Sequence, residues 1–194
     1  VDGFIFNSKT TEKVVHKLVK QRKPSVTAYP PADRFGNPLS EYEIIERAKT
    51  DNLRILFLGN VIYRKGLHTL LEAIKNLPAN FRVDVVGSLD SDPKYAMQMQ
   101  DFVRANRLSS SISFHSSLDK GPLVEKFKQA HVLAVPSSYE GFGIVYLEGM
   151  GFGLPAIGTT VGAAGEIITN GVDGFLIQPG NAVELANRLK ALYE

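Results

Sequence analysis

The run Pro136-Ser137-Ser138-Tyr139-Glu140-Gly141-Phe142-Gly143-Ile144-Val145-Tyr146-Leu147-Glu148 decides how this chain is read. It follows an apolar run, His131-Val132-Leu133-Ala134-Val135, that reads as a buried strand, and it runs into a segment of helical character. It therefore predicts a strand-to-helix turn. Gly141 and Gly143 free the backbone there, so that amide N–H groups can face outward at the helix start. Unpaired donors and the positive dipole end coincide at such a start, which attracts anions. Glu140 and Glu148, eight residues apart, bracket the turn. A helical spacer of that length would set both carboxylates near one face. The implied ligand is anionic and rich in hydroxyls, with amides for phosphate and carboxylates for sugar rings.

Around this turn, strands and helices alternate. Strands are expected at 54–58, 82–86, 111–115, 131–135, 154–158 and 174–177, and helices at 66–76, 93–106, 123–130, 144–153, 164–170 and 182–192. Nearly all-apolar strands separated by helices predict an α/β fold: a three-layer α-β-α, Rossmann-like parallel sheet covered on both faces. Ligands of such sheets bind beyond the carboxyl ends of the strands, where the strand order reverses. Gly59, Gly87 and the 136–143 turn all follow strands and fall on that edge. Before this lies a short strand–helix–strand pattern, with Val14, Val15, Leu18 and Val19 at helical spacing and Pro30-Pro31 at its end. The division predicted is a remnant of a preceding domain at 1–30, a linker at 31–50 and a ligand-binding domain at 51–194. Val1 already lies inside the pattern, which suggests a piece of a longer protein.

The net charge of +2 over 194 residues gives no bulk attraction to nucleic acid or to an anionic membrane. The absence of cysteine excludes disulfides, thiolate metal sites and cysteine nucleophiles, and fits a reducing compartment. No apolar run approaches a membrane span and no signal segment opens the sequence, so the chain reads as soluble and cytoplasmic. Association of a longer protein with a membrane is left open.

The first turn of the alternating region reads Gly59-Asn60-Val61-Ile62-Tyr63-Arg64-Lys65-Gly66. Lys65 opens the next helix at the ligand edge and can pair with phosphate as a point charge; alone, the segment would read as a solvated loop with two surface cations. It carries neither the dinucleotide glycine fingerprint nor a P-loop, which argues against a nicotinamide-dependent dehydrogenase. Glu148 lies among Val145, Tyr146, Leu147 and Met150, where a carboxylate costs energy unless something bonds to it; ribose hydroxyls would serve. Asp90-Ser91-Asp92 resembles a metal-binding Asp-x-Asp, but Asp92-Pro93 is better explained as a helix cap followed by proline. The four histidines share no metal-ligand spacing, so none is read as a metal ligand. His115 ends a strand at the ligand edge. The turn Gly158 to Glu166 either approaches a diphosphate or simply turns tightly, and the sequence leaves the two equal.

Taken together, the 136–148 run, the Lys65-Gly66 loop, Gly153-Leu154-Pro155, Gly162, Glu166 and Asp173-Gly174 resemble the retaining GT-B glycosyltransferases of family 4, the "glycosyl transferases group 1". The resemblance covers essentially the whole chain and rests on the Glu-x7-Glu motif. It implies two Rossmann-like domains with the active site in the cleft between them. This chain is similar to the carboxyl-terminal, donor-binding one, and the acceptor-binding amino-terminal domain is then the missing partner. By that resemblance Lys65 contacts the donor diphosphate and Glu140 lies by the transferred sugar, making these the catalytic pair. Amides around Phe142, Gly143 and Ile144 bind sugar and phosphate, Glu148 holds the ribose hydroxyls, and Gly59, Asn60 and Arg64 complete the donor site. Gly87, His115 and Ser116 would lie near the base. The donor substrate would be a UDP-sugar or GDP-mannose, with no metal and no cofactor required. Asn60 stands where the family often has arginine, Ser116 where a glycine is common, and Ala163 where the later turn has a second glycine. The alternative function is a non-catalytic nucleotide-binding or scaffold module of the same fold.

Overall fold

The computed structural model describes all residues except 1, 21, 22, 32, 33, 37, 38, 76, 78, 79 and 194. Expected element and linker ends at Val1, Gln21, Asp33, Pro38 and Asn76 lie outside the described residues. The chain opens with a small unit of β1 (Phe4–Phe6), α1 (Lys9–Leu18) and β2 (Ser25–Thr27), whose two strands pair in parallel. Ser8 caps α1 by accepting from the Thr11 amide. A connector then leads to α2 (Glu41–Ala48), opened by a reciprocal capping box between Ser40 and Glu43.

The main sheet follows as β3 (Leu53–Leu58), β4 (Phe81–Val86), β5 (Ile112–His115), β6 (Val132–Ala134), β7 (Ala156–Thr159) and β8 (Gly174–Ile177). Its order is β5-β4-β3-β6-β7-β8, with every pairing parallel. The intervening helices are α3 (Leu67–Ile74), α4 (Pro93–Ala105), α5 (Lys120–Gln129), α6 (Ile144–Met150) and α7 (Ala182–Ala191). Chain direction across the sheet reverses between β3 and β6, which makes the gap between their following loops the switch point.

The sequence explains these elements locally. Helix α3 presents Leu67, Leu70, Leu71 and Ile74, all fully buried, at the offsets that line one helical face. Val132, Leu133 and Ala134 of β6 are likewise buried on both sides, as a central parallel strand requires. Each large aliphatic side chain so placed contributes about 1.5–3 kcal/mol. One expected helix is absent. Residues 164–170 form only a short 3-10 turn, Ala164–Glu166. Ile168 turns into the core at 2 % exposure, and the Asn170 side chain accepts from the Leu176 amide to lead into β8, so the segment serves the sheet rather than a helix.

Candidate functional site

The loops after β3 and β6 meet at the switch point. A cavity of about 320 Å³ opens there, lined by Lys65, Glu140, Phe142, Gly143, Ile144 and Val145, with Asn7 and Pro30 closing it from the amino-terminal segment. Lys65 Nζ donates to Glu140 Oε1 at 2.5 Å, and Ser137 Oγ donates to the same oxygen at 2.7 Å. Arg64 donates to the Tyr139 carbonyl at 2.7 Å and reaches within 3.8 Å of Glu140 Oε2. Glu140 is 6 % exposed, so its charge is taken from water and met by these partners. Among the described residues, the main-chain nitrogens of Phe142, Gly143 and Ile144 take no part in main-chain hydrogen bonding. They are donors available to a ligand in the cavity.

The turn is braced from beneath. The Tyr146 hydroxyl, fully buried, donates to the Val135 carbonyl at 2.7 Å, and burial raises its pKa. Thr159 donates to the Ser137 carbonyl at 2.6 Å. The glycine-rich turn after β7 packs on Glu140, bridging it through Gly162 and donating from the Ala163 amide to the Glu140 carbonyl at 2.8 Å. Gly162 sits at φ +88°, where a Cβ would lie 2.3 Å from that carbonyl oxygen. This turn braces Glu140 from the β7 side.

Glu148 lies on α6 one turn beyond Ile144 and Val145, roughly 6 Å along the helix axis from Ile144. Helix α6 begins only at Ile144, so Glu140 precedes it and the expected helical spacer between the two glutamates does not exist. The Glu148 side chain is 3 % exposed and accepts from Arg34 Nη1 at 2.8 Å, whereas the Arg34 side chain is 65 % exposed. Arg34 stands on Phe35, whose ring packs against Phe127 and Phe152. The buried acid therefore has a protein partner already, and it does not line the cavity that holds Lys65 and Glu140.

The residues expected near the base lie at the same carboxyl edge of the sheet, at the ends of β4 and β5, but outside the lining of this cavity. His115 Nε2 lies 2.6 Å from Asp84 Oδ1, which also accepts from Lys126 at 2.7 Å. Gly87 makes room for the main chain of the β3 loop, since a Cβ there would stand 2.1 Å from the Gly59 carbonyl oxygen. Neither they nor Ser116, Gly59, Asn60 or Arg64 line the cavity. Asp92 caps α4 by accepting from the Tyr95 amide, as its cap reading required. No group of three or more potential metal ligands occurs among the described residues. A larger cavity, about 500 Å³, lies at the opposite, amino edge of the sheet beside Arg47 and His131. Both side chains are already committed there, Arg47 to the Phe152 and Gly153 carbonyls and His131 to the Arg54 amide and the Arg47 carbonyl. Position at the switch point, not size, selects the smaller cavity.

Sequence reading gave no hint of the clasp between the amino-terminal segment and this site. The Glu166 carboxylate accepts from the Lys9 and Thr10 amides at 2.9 and 2.7 Å, from the Thr10 hydroxyl at 2.6 Å and from the Tyr29 hydroxyl at 3.0 Å. Ser8 and Thr11 hydroxyls reach the Gly141 carbonyl at 2.6 and 3.0 Å, and the Tyr29 ring stacks on Phe142. Burial pushes the Glu166 carboxyl up, but the hydrogen bonds from Thr10, Lys9 and Tyr29 outweigh it and leave the pKa lowered. A depressed carboxylate stabilises the fold above its unfolded pKa and loses that contribution as pH falls through the folded one. Glu166→Ala is thus expected to lower the Tm at pH 7, with the difference from wild type shrinking as pH drops below the ordinary carboxylate range; melting curves at several pH values check this.

These features define a Rossmann-like domain with a polar cleft at its switch point. The chain belongs to the family described as Glycosyl transferases group 1, which matches residues 40–194. It is 34 % identical over 138 residues to an uncharacterised glycosyltransferase of Methanocaldococcus jannaschii, covering 71 % of this chain and 37 % of that one. It is 28 % identical over 142 residues to the D-inositol 3-phosphate glycosyltransferase of Xylanimonas cellulosilytica, covering 73 % and 34 %. Among solved structures, Anabaena HepE in complex with UDP and glucose superposes on the whole chain with a TM-score of 0.87 at 23 % identity, over 54 % of HepE. The chain spans between a third and about half of the length of these proteins.

Proposed function

We propose that this chain is the donor-binding, carboxyl-terminal half of a cytoplasmic retaining glycosyltransferase that moves a sugar from a nucleoside diphosphate to an acceptor. The observation that carries the reading is the cavity at the switch point, where the Lys65–Glu140 pair faces the open amides of Phe142, Gly143 and Ile144. Lys65 and Glu140 neutralise each other. An arriving diphosphate takes up Lys65 and the amides, which stabilises the charge that develops on the leaving group. Glu140 then faces the sugar. One helical turn away Glu148 receives the ribose hydroxyls, and Arg34, mostly in solvent, gives way to them.

The acceptor is bound by a domain preceding this segment. Exposed Ile5 and Val26, neighbours across the β1–β2 pair, support this, since they are apolar side chains that further structure would cover. HepE in complex with UDP-glucose, of the same fold, supports a uridine nucleotide as the first donor to try. No described helix is long and apolar enough to cross a membrane. Titration of the chain with UDP, GDP and ADP by calorimetry tests the reading: saturable binding of at least one at a single site is expected. Nucleotide binding by a full-length protein inactive with every nucleotide sugar would favour the scaffold module, a reading that Asn60 in place of arginine supports.

A further inference from the structure

We propose that Asn7, outside the donor-binding domain proper, is a specificity-determining residue whose side-chain amide reads a hydroxyl of the transferred sugar. The proposal rests on the donor-site reading above. Asn7 and Pro30 form the wall of the cavity facing Lys65, Glu140 and the Phe142–Val145 run. This wall is held in place rather than merely adjacent. On either side of it Ser8 and Thr11 fasten to the Gly141 carbonyl, Glu166 grips the Lys9 and Thr10 amides, and Tyr29 is both bonded to Glu166 and stacked on Phe142.

The Asn7 side-chain amide is used in none of these contacts. Lys65 and Glu140 by contrast are spent on one another and on Ser137. A carboxamide both donates and accepts, so it suits a neutral hydroxyl, which neither cation nor carboxylate reads as selectively. A diphosphate bound at Lys65 and the Phe142–Ile144 amides leaves its attached sugar in the part of the cavity bounded by Glu140 and Asn7. Because Ser8, one residue on, is fully buried and bonded to Gly141, the backbone that carries Asn7 is held at the edge of the cavity.

The test compares a nucleoside diphosphate with its sugar conjugate. Affinities of the 194-residue chain and its Asn7→Ala variant are measured by calorimetry for UDP and UDP-glucose and for GDP and GDP-mannose, with Glu148→Ala as control. Asn7 is exposed and outside the clasp's bonds, so the variant folds. The expected result is a two- to tenfold loss for the nucleotide sugar, the span of one neutral hydrogen bond, with the plain diphosphate unchanged. Deoxy analogues of the sugar then identify the hydroxyl as the one whose removal abolishes the difference between wild type and variant. An unchanged ratio of the two affinities in Asn7→Ala, while Glu148→Ala weakens both ligands, overturns the role of Asn7 alone. Failure of Glu148→Ala to weaken either ligand overturns the donor-site reading and this proposal with it.

Discussion

Replacing Glu148 by alanine is expected to raise the Kd for the nucleoside diphosphate by about 30-fold or more while leaving the fold intact. Two ribose hydroxyls bonded to a buried carboxylate contribute about 1.5–3 kcal/mol each. Displacing Arg34 costs less, because its guanidinium is mostly in solvent and the incoming hydroxyls take its place on the buried acid, so that only about 0–1 kcal/mol of exposed ion pairing is given up. The difference of at least about 2 kcal/mol corresponds to that factor in affinity. Stability moves little in comparison, since Arg34 is 65 % exposed and water solvates its guanidinium once the acid is gone. Calorimetric titration alongside a thermal melt reads both effects. The plain nucleoside should suffer the same loss as the diphosphate, because the contact removed is to the pentose.

Lys65→Ala should do the reverse, weakening diphosphates by about ten- to a hundredfold and leaving nucleosides nearly untouched. The Lys65 side chain is 15 % exposed and its contact with phosphate is charge-assisted, about 1.5–3 kcal/mol. The variant also strands Glu140, a buried carboxylate that keeps only Ser137 and the more distant Arg64. Leaving such a charge without its close cation typically costs about 3–5 kcal/mol of stability. Pairing the change with Glu140→Gln separates the two effects. The double variant should regain the Tm but not the phosphate affinity, and equal losses for uridine and UDP in either protein would argue against phosphate contact.

The physical reasons for what could be read in advance are visible in particular residues. Val132 to Ala134 and the Leu67, Leu70, Leu71 and Ile74 stripe follow from local periodicity, so the sheet and its covering helices were legible. That Lys65 and Glu140 share one edge was also legible, because both sit in turns that follow strands of a parallel sheet; the ion pair between them was not. What local pattern could not supply was contact between distant segments. Arg34 meets Glu148 across 114 positions, and Glu166 grips Thr10 across 156. The buried acid Glu148 does have a partner, but in the structure it is a protein cation, Arg34. The hydrogen-bond partner of His115 went unread for a related reason: Asp84 becomes its neighbour only through the pairing of β4 with β5. The helix expected at 164–170 failed because Ile168 is claimed by the core.

The most direct test of the central claim is a structure of the chain with the tightest-binding nucleoside diphosphate. The account predicts the pyrophosphate against Lys65 Nζ and the amides of Phe142 to Ile144, with the pentose hydroxyls on Glu148 and Arg34 swung into solvent. Nucleotide bound instead in the cavity beside Arg47 and His131, or at the switch point with Glu148 still closed by Arg34, would contradict it.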